Sequence, residues 1–311
     1  MPCAVYRVPC TCFTVPCTLR FWFMSLLIYG IINSVILALY TVGFSLCYGI
    51  SGIANFSHGA LYILSGFTAW NLLNLAGLPF YLSAVLSVII TAILGFLFYW
   101  VLLLRVRGSP LAELIVTFAA GMGMLELLTW KGFYGMRYSL PLYMKGGIEI
   151  GPVAIDFQRL FVVGTGVALV VFLWFFVHHT RVGLAFRAMA QNERTALSVG
   201  IESDWIGSLS MALGAALAAI AAMVVLPLGM MESSIGLEVL IYALAVAIVG
   251  GLESTLGMIV GSFIIGFGQI AAARYIGAKW MIIVPLAAIV LVLVIKPSGI
   301  FGKFKELEER V

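Results

Sequence analysis

Long apolar blocks follow one another along almost the whole chain, separated by short polar breaks, and their lengths set the expected architecture. A helix needs about 20 apolar residues, rising ~1.5 Å each, to cross roughly 30 Å of hydrocarbon. Blocks of that order lie at 25–46, 53–75, 80–104, 111–129, 160–177, 205–226, 255–273 and 281–295. A shorter apolar piece, 239–249, sits between two glycine-containing turns. It has about half the length of a span, as a re-entrant or broken helix has. The pattern predicts an all-α polytopic membrane protein with about eight spanning helices plus broken or re-entrant segments.

One stretch breaks the apolar rhythm, 180–201, with the sequence TRVGLAFRAMAQNERTALSVGI. It carries Arg181, Arg187 and Arg194, the carboxamides Gln191 and Asn192, and the carboxylate Glu193. Val182, Phe186 and Met189 recur at helical spacing, while Arg187, Gln191 and Arg194 fall elsewhere on the wheel. The run is too polar to insert and too patterned for a tether. It predicts a short amphipathic helical element on the cytoplasmic side, presented to the membrane surface or to a partner. A loop whose basic residues only fix topology is the competing reading.

Composition agrees. Of 311 residues, 63% are hydrophobic and only 10% charged, with a mean hydropathy of +1.15. Soluble domains carry roughly 25% charged residues, so this chain could not cover its own surface in water and requires a lipid bilayer. The net charge is +4 and its basic residues sit in short loops, which excludes a nucleic-acid footprint. Arg105 and Arg107, the 178–194 segment, and Lys296, Lys303, Lys305 and Arg310 mark the cytoplasmic side. Parity then puts the loop 130–159 and the start of the first span outside.

Four of the five cysteines (Cys3, Cys10, Cys12, Cys17) lie in the first 17 residues, and Cys47 stands alone in an apolar block. PCTCFTVPC lacks the second cluster of a metal site, and its prolines oppose a packed unit, so no metal is expected there. Residues 1–23 hold Arg7 and Arg20 on the side assigned to the exterior, whereas Met24 opens directly into a well-formed first span. The expectation is a mis-assigned start, with translation from Met24. That leaves a transmembrane domain at 24–302, a polar cytoplasmic loop at 178–204 within it and a charged tail at 303–311.

Between the first two blocks lies YGISGIANFSHG, 48–59, where Gly49, Gly52 and Gly59 flank Asn55, Ser57 and His58. Unpaired backbone cannot face lipid, so such a break survives only buried in protein or lining a wet cavity. Two readings stand: a broken helix exposing small polar groups to a solute, or a tight interfacial turn with His58 hydrogen-bonded and inert. In VGGLESTLGMIVGSFIIGFG, Gly257 and Gly261 form a small-xxx-small pair of the kind that lets helix backbones approach. No GxxxxGK[ST] is present to cradle ATP, and no HExxH, CxxC or GxSxG signals chemistry. The chain is not expected to be an enzyme.

The motifs YGISGIANFSHG, TRVGLAFRAMAQNERTALSVGI, VGGLESTLGMIVGS and IKPSGIFGK, in that order, resemble the permease subunits of bacterial ABC importers for branched-chain amino acids. The resemblance spans 24–302 and fits the shorter of the two permease types. It implies that Gly183, Arg187, Ala188, Asn192, Ala196, Gly200 and Ile201 form the element coupled to the ATPase. It also implies that Gly52, Asn55, Phe56, Ser57, His58 and Gly59 lie on the translocation path, and that Pro297, Gly299 and Gly302 form a closing motif. Ser57 stands where alanine is common, and Glu253 where a small or neutral residue is usual. The implied partners are a second, paralogous permease, two cytoplasmic ATPase subunits, an extracytoplasmic solute-binding protein and an amino-acid substrate. The chain itself would bind no cofactor, ATP being used by the partner subunits, and would reside in the bacterial cytoplasmic (inner) membrane. A secondary transporter or channel without ATPase subunits is the alternative, and a membrane scaffold a third reading.

Overall fold

The first apolar block and the residues ahead of it form one helix, α1 (Val15–Ser51), in the computed structural model, which describes residues 15–133, 138–150, 153–252 and 254–302. The leader up to residue 14, with Cys3, Cys10 and Cys12, lies outside the described residues, as do Glu253 and the tail 303–311. Helix α1 begins nine residues ahead of Met24.

Helix α2 (His58–Asn74) follows a non-helical stretch, and α3 (Phe80–Phe98) continues through a π-turn (Tyr99–Leu103) into a short α4 (Leu104–Val106). Helix α5 (Pro110–Leu128) starts with proline at its first position, where the missing N–H costs nothing. An antiparallel hairpin, β1 (Gly147–Ile150) and β2 (Val153–Asp156), with Gly147 opposite Asp156, precedes α6 (Phe157–His179). Then come α7 (Arg181–Gln191), α8 (Glu193–Ser198), α9 (Ser203–Val225), α10 (Ile235–Gly250), α11 (Thr255–Tyr275) and α12 (Ile283–Ile295).

Among the described residues, seven helical segments are long and apolar enough to cross a membrane: Phe23–Ser51, Phe80–Val106, Pro110–Gly132, Phe157–His179, Ser203–Leu228, Thr255–Tyr275 and Ala278–Ile295. The chain is thus a multi-pass, all-α membrane protein apart from the hairpin. The eighth expected span, 53–75, is only partly helical, because α2 has 17 residues and begins at His58. Local side-chain bonds explain the lost turns. Asn55 accepts through Oδ1 from the Ser57 backbone N–H at 3.0 Å and from the Ser57 hydroxyl, which offers the backbone an alternative to helix. Gly52, at φ +68°, supplies the left-handed residue that stops α1. The expected half-span is α10, with 16 residues.

Helix α9 is the hub. In its most apolar window 72% of residues are buried, against 6–39% in the other six spans. Its alanines and glycines make this possible, because without a hydrophobic drive between helices in lipid, close backbone packing holds them together. A β-carbon on Gly214 would overlap the Cys47 sulfur of α1, and one on Gly95 of α3 would overlap the Ala215 side chain. The Gly257–Gly261 face of α11 packs the same way: a β-carbon on either glycine would meet the backbone of α10 at Gly250.

Candidate functional site

Arg105, Arg107, α7 and α8, and Lys296 share one end of the bundle, called the basic end below. There the polar stretch 180–201 folds as two helices. Thr180 caps α7, its hydroxyl accepting from Gly183 N–H at 2.9 Å, and Asn192 caps α8 by accepting from Thr195 N–H at 3.0 Å. Gly200, at φ +84°, ends α8: its N–H reaches the Leu197 carbonyl and that of Ile201 reaches Ala196, a Schellman closure. Gly183 is required for a separate reason. A β-carbon there would overlap the Phe176 carbonyl and Val177 where α6 turns into α7.

The apolar face docks as the spacing predicts. Phe186, Met189 and Ala196 are buried with Ile206 of α9, and Val182, Ala188, Ile201 and Ile50 of α1 pack around them. Arg181, Gln191 and Arg194 face outward. Arg187 departs from its expected place on the exposed face. It is half-buried and its Nε is enclosed without a hydrogen-bond partner, because α7 lies flat on the bundle instead of standing clear.

Sequence reasoning missed the ionic tie between this element and the rest. Arg107 meets the carboxylates of Glu193 at the start of α8 and Asp204 in the first turn of α9, and the Ser203 hydroxyl. Ser203 in turn donates to Glu193 at 2.6 Å. Tyr99 donates to Asp204 at 3.2 Å from the π-turn, and its ring fills the space that Gly207 leaves open. In the linear sequence Arg107 reads only as a topology marker, since its partners lie about 90 residues away.

The break at 52–57 runs back along α1. His58 is beside residues well above the end of that helix: its Nε2 donates to the Tyr40 carbonyl at 2.9 Å, and its ring centroid is 6.2 Å from that of Phe44. Helix α2 therefore starts two turns or more inside the bundle. Asn55, Ser57, His58 and Gly59 are buried, Phe56 is half-buried, and Gly52 is exposed at the basic end. Thr117 of α5 serves the extended backbone, its hydroxyl accepting from Phe56 N–H and contacting the Ala54 carbonyl, each at 3.3 Å. Asn55 Nδ2 and His58 Nδ1 have no hydrogen-bond partner. Gly59 lies directly on the Gly236 carbonyl, so α2 and α10 begin side by side.

Beyond the break, toward the other end of the bundle, α1, α2, α9, α10 and α11 enclose a cavity of about 330 Å³. Its floor is Tyr40 and Tyr62, whose rings meet edge-on with centroids 5.4 Å apart. Arg159, near the start of α6, stands at its rim. These residues come from separate blocks of unbroken hydrophobicity, and no motif marks them. The cavity thus lies over a sealed floor, with the buried break beneath. Cysteines replacing Ser57 (0% exposed) or Ala60 (2%) should be inert to polar thiol reagents in this state. If the floor opens during function, labelling should appear when the protein is trapped in its other state. Rapid labelling at rest, measured by mass shift, would contradict the sealed geometry.

A family described as branched-chain amino acid transport system / permease component matches residues 26–294. The "High-affinity branched-chain amino acid transport system permease protein BraD" of Pseudomonas aeruginosa is 27% identical, over 90% of this chain and 96% of that protein. The corresponding protein LivH of Escherichia coli is 25% identical, over 91% and 96%. A solved structure, PsaBC from Streptococcus pneumoniae in complex with Fab, aligns with 89% of this chain and 94% of its own at a TM-score of 0.47 and 15% identity.

Proposed function

The chain belongs to the family of branched-chain amino acid transport system permease components, and from that membership we propose that it forms half of the transmembrane path of an ABC importer for branched-chain or related amino acids. The basic end faces the cytoplasm of a bacterial cell, across its cytoplasmic (inner) membrane. A second, paralogous permease completes the path, two ATPase subunits bind beneath, and a solute-binding protein delivers from outside. ATP is used by those subunits, and this chain holds no cofactor.

The observation that carries the reading is the α7–α8 pair. It is bonded to the bundle on one face, through Phe186, Met189, Ala196 and the Arg107 tie, and offers Arg181, Leu184, Gln191 and Arg194 on the other. An element so placed passes a push from below into α1, α6 and α9 together, which rocks the walls around the sealed break. Gly52, Asn55, Phe56, Ser57, His58 and Gly59 form the part of the path that this rocking opens.

Arg187→Glu tests the coupling. The side chain is half-buried at the docked face, and a reversed charge beside an interface costs up to several kcal/mol. Solute-stimulated ATP hydrolysis by the reconstituted complex should drop about tenfold or more, with membrane insertion intact. Unchanged stimulation would remove Arg187 from the coupling element. Uptake that needs no nucleotide would favour a secondary transporter instead.

A further inference from the structure

The cavity above the Tyr40–Tyr62 floor has the size and lining of a solute site. At about 330 Å³ it falls at the lower end of the ~300–1,000 Å³ typical of small-molecule pockets, room for a leucine-sized molecule. Its walls are largely aliphatic, with Ile32, Ile36 and Leu37 of α1 facing Val225 and Leu226 where α9 ends, and the only carboxamides among the lining residues, Asn33 and Gln269, bond each other at 2.8 Å. Among the described residues no carboxylate lines it, so its one formal charge is the guanidinium of Arg159.

That guanidinium is held in place before any solute arrives. Its central carbon stands 5.1 Å over the Tyr29 ring, and its Nε lies 3.4 Å from Asp156. Tyr29 is itself fixed by donating to the Ala154 carbonyl at 2.9 Å, so the β-hairpin and α1 brace Arg159 jointly. At the opposite pole the Tyr62 hydroxyl is enclosed, facing the Tyr40 phenol without a well-formed hydrogen bond. The cavity is therefore largely apolar along its length, cationic at the mouth and closed at the floor by the two tyrosine rings.

We propose that this cavity is an amino-acid subsite of the permease itself, in which Arg159 receives the carboxylate of an aliphatic α-amino acid and the α1–α9 wall receives its side chain. The proposal rests on the importer reading and adds to it a point at which this chain screens the solute after the binding protein has released it. An aliphatic chain gains by leaving water along the wall. A second cationic group, as on lysine, would be buried with no carboxylate to meet it and is rejected.

The test uses the purified permease–ATPase complex in lipid nanodiscs, without the binding protein, and radiolabelled leucine at millimolar concentration. Leucinol, which lacks the carboxylate, and lysine are the competitors. The wild-type complex should prefer leucine to leucinol by about ten- to a hundredfold, the value of a charge-assisted hydrogen-bonded pair. Arg159→Gln should erase that preference, which a merely structural role for Arg159 would not do. Met230→Trp fills the mouth from a position that is 63% exposed, where the larger ring does not disturb the core, and should weaken leucine and leucinol alike. Uptake by the full complex with its binding protein is followed in parallel. Leucine uptake with no leucine binding in nanodiscs, or with both variants binding as wild type does, overturns the subsite and leaves the importer standing. A wild-type complex that takes up no branched-chain amino acid overturns both.

Discussion

Replacing Arg107 with glutamate should uncouple the protein, cutting solute-stimulated ATP hydrolysis and uptake at least tenfold while the helices still insert. The side chain ties three elements: Glu193 at the head of α8, Asp204 and Ser203 at the head of α9, and its own segment at the end of α4. It is 27% exposed, with carboxylate partners at 43% and 48%, so each single pair is worth little in water-like surroundings. The network is worth more, because two carboxylates and the Ser203 hydroxyl converge on one fixed cation, while the Tyr99 hydroxyl donates to Asp204 and holds it in place. A glutamate there would set three carboxylates against each other, a cost of about 2–3 kcal/mol after allowing for exposure. A strain of that size at the root of α8 is released by letting α7–α8 swing away from the bundle. Proteoliposome uptake and detergent melting separate coupling from folding. Arg107→Ala and Glu193→Ala, singly and together, give the interaction energy by a double-mutant cycle. If the effects of the two simply add, or if Arg107→Glu transports within twofold of wild type, the tie does not couple.

The second large effect is expected at Gly59, where adding one methyl group should do more damage than removing a large core side chain usually does. The β-carbon of an alanine would fall on the Gly236 carbonyl, and backbone cannot step aside as a flexible side chain can. Helices α2 and α10 would have to separate where both begin, taking the buried Asn55–His58 segment with them. Overpacking typically costs about 1–3 kcal/mol, and a backbone overlap belongs at or above the top of that range. Gly123 of α5 is the control, since nothing lies near its β-position. There alanine should be neutral or stabilising by up to ~1 kcal/mol through helix propensity. Gly59→Ala melting with Gly123→Ala would show that the two helices are not in backbone contact.

The α7–α8 pair was legible because its signals are local. Helical spacing put Phe186 and Met189 on one face, and Thr180, Asn192 and Gly200 are residue types that cap helices by bonding within a few residues. The break at 52–57 was legible for the same reason, as glycine and asparagine interrupting an apolar run. Its depth was not. Whether Asn55 and His58 sit at the interface or two turns inside depends on Tyr40 and Phe44 of α1 and Thr117 of α5, and no local pattern reports those neighbours. Arg187 falls off the apolar face of the wheel, yet α7 lies flat enough to enclose its Nε.

The sequence alone determined that this chain lives in a bilayer, how many apolar blocks it has, where two of them are broken or short, and which end carries the basic residues. Each of these follows from counting apolar length and charge within a window no wider than one span. Only the tertiary structure decided that α9 is the hub, that Arg107 reaches Glu193 and Asp204, and that Arg159, Tyr62 and Leu37 surround one cavity. In a membrane nearly every side chain of every span is apolar whether it faces lipid, a neighbouring helix or a cavity. Hydrophobicity therefore cannot tell those surroundings apart, and the packing of small residues between helices fixes which faces meet.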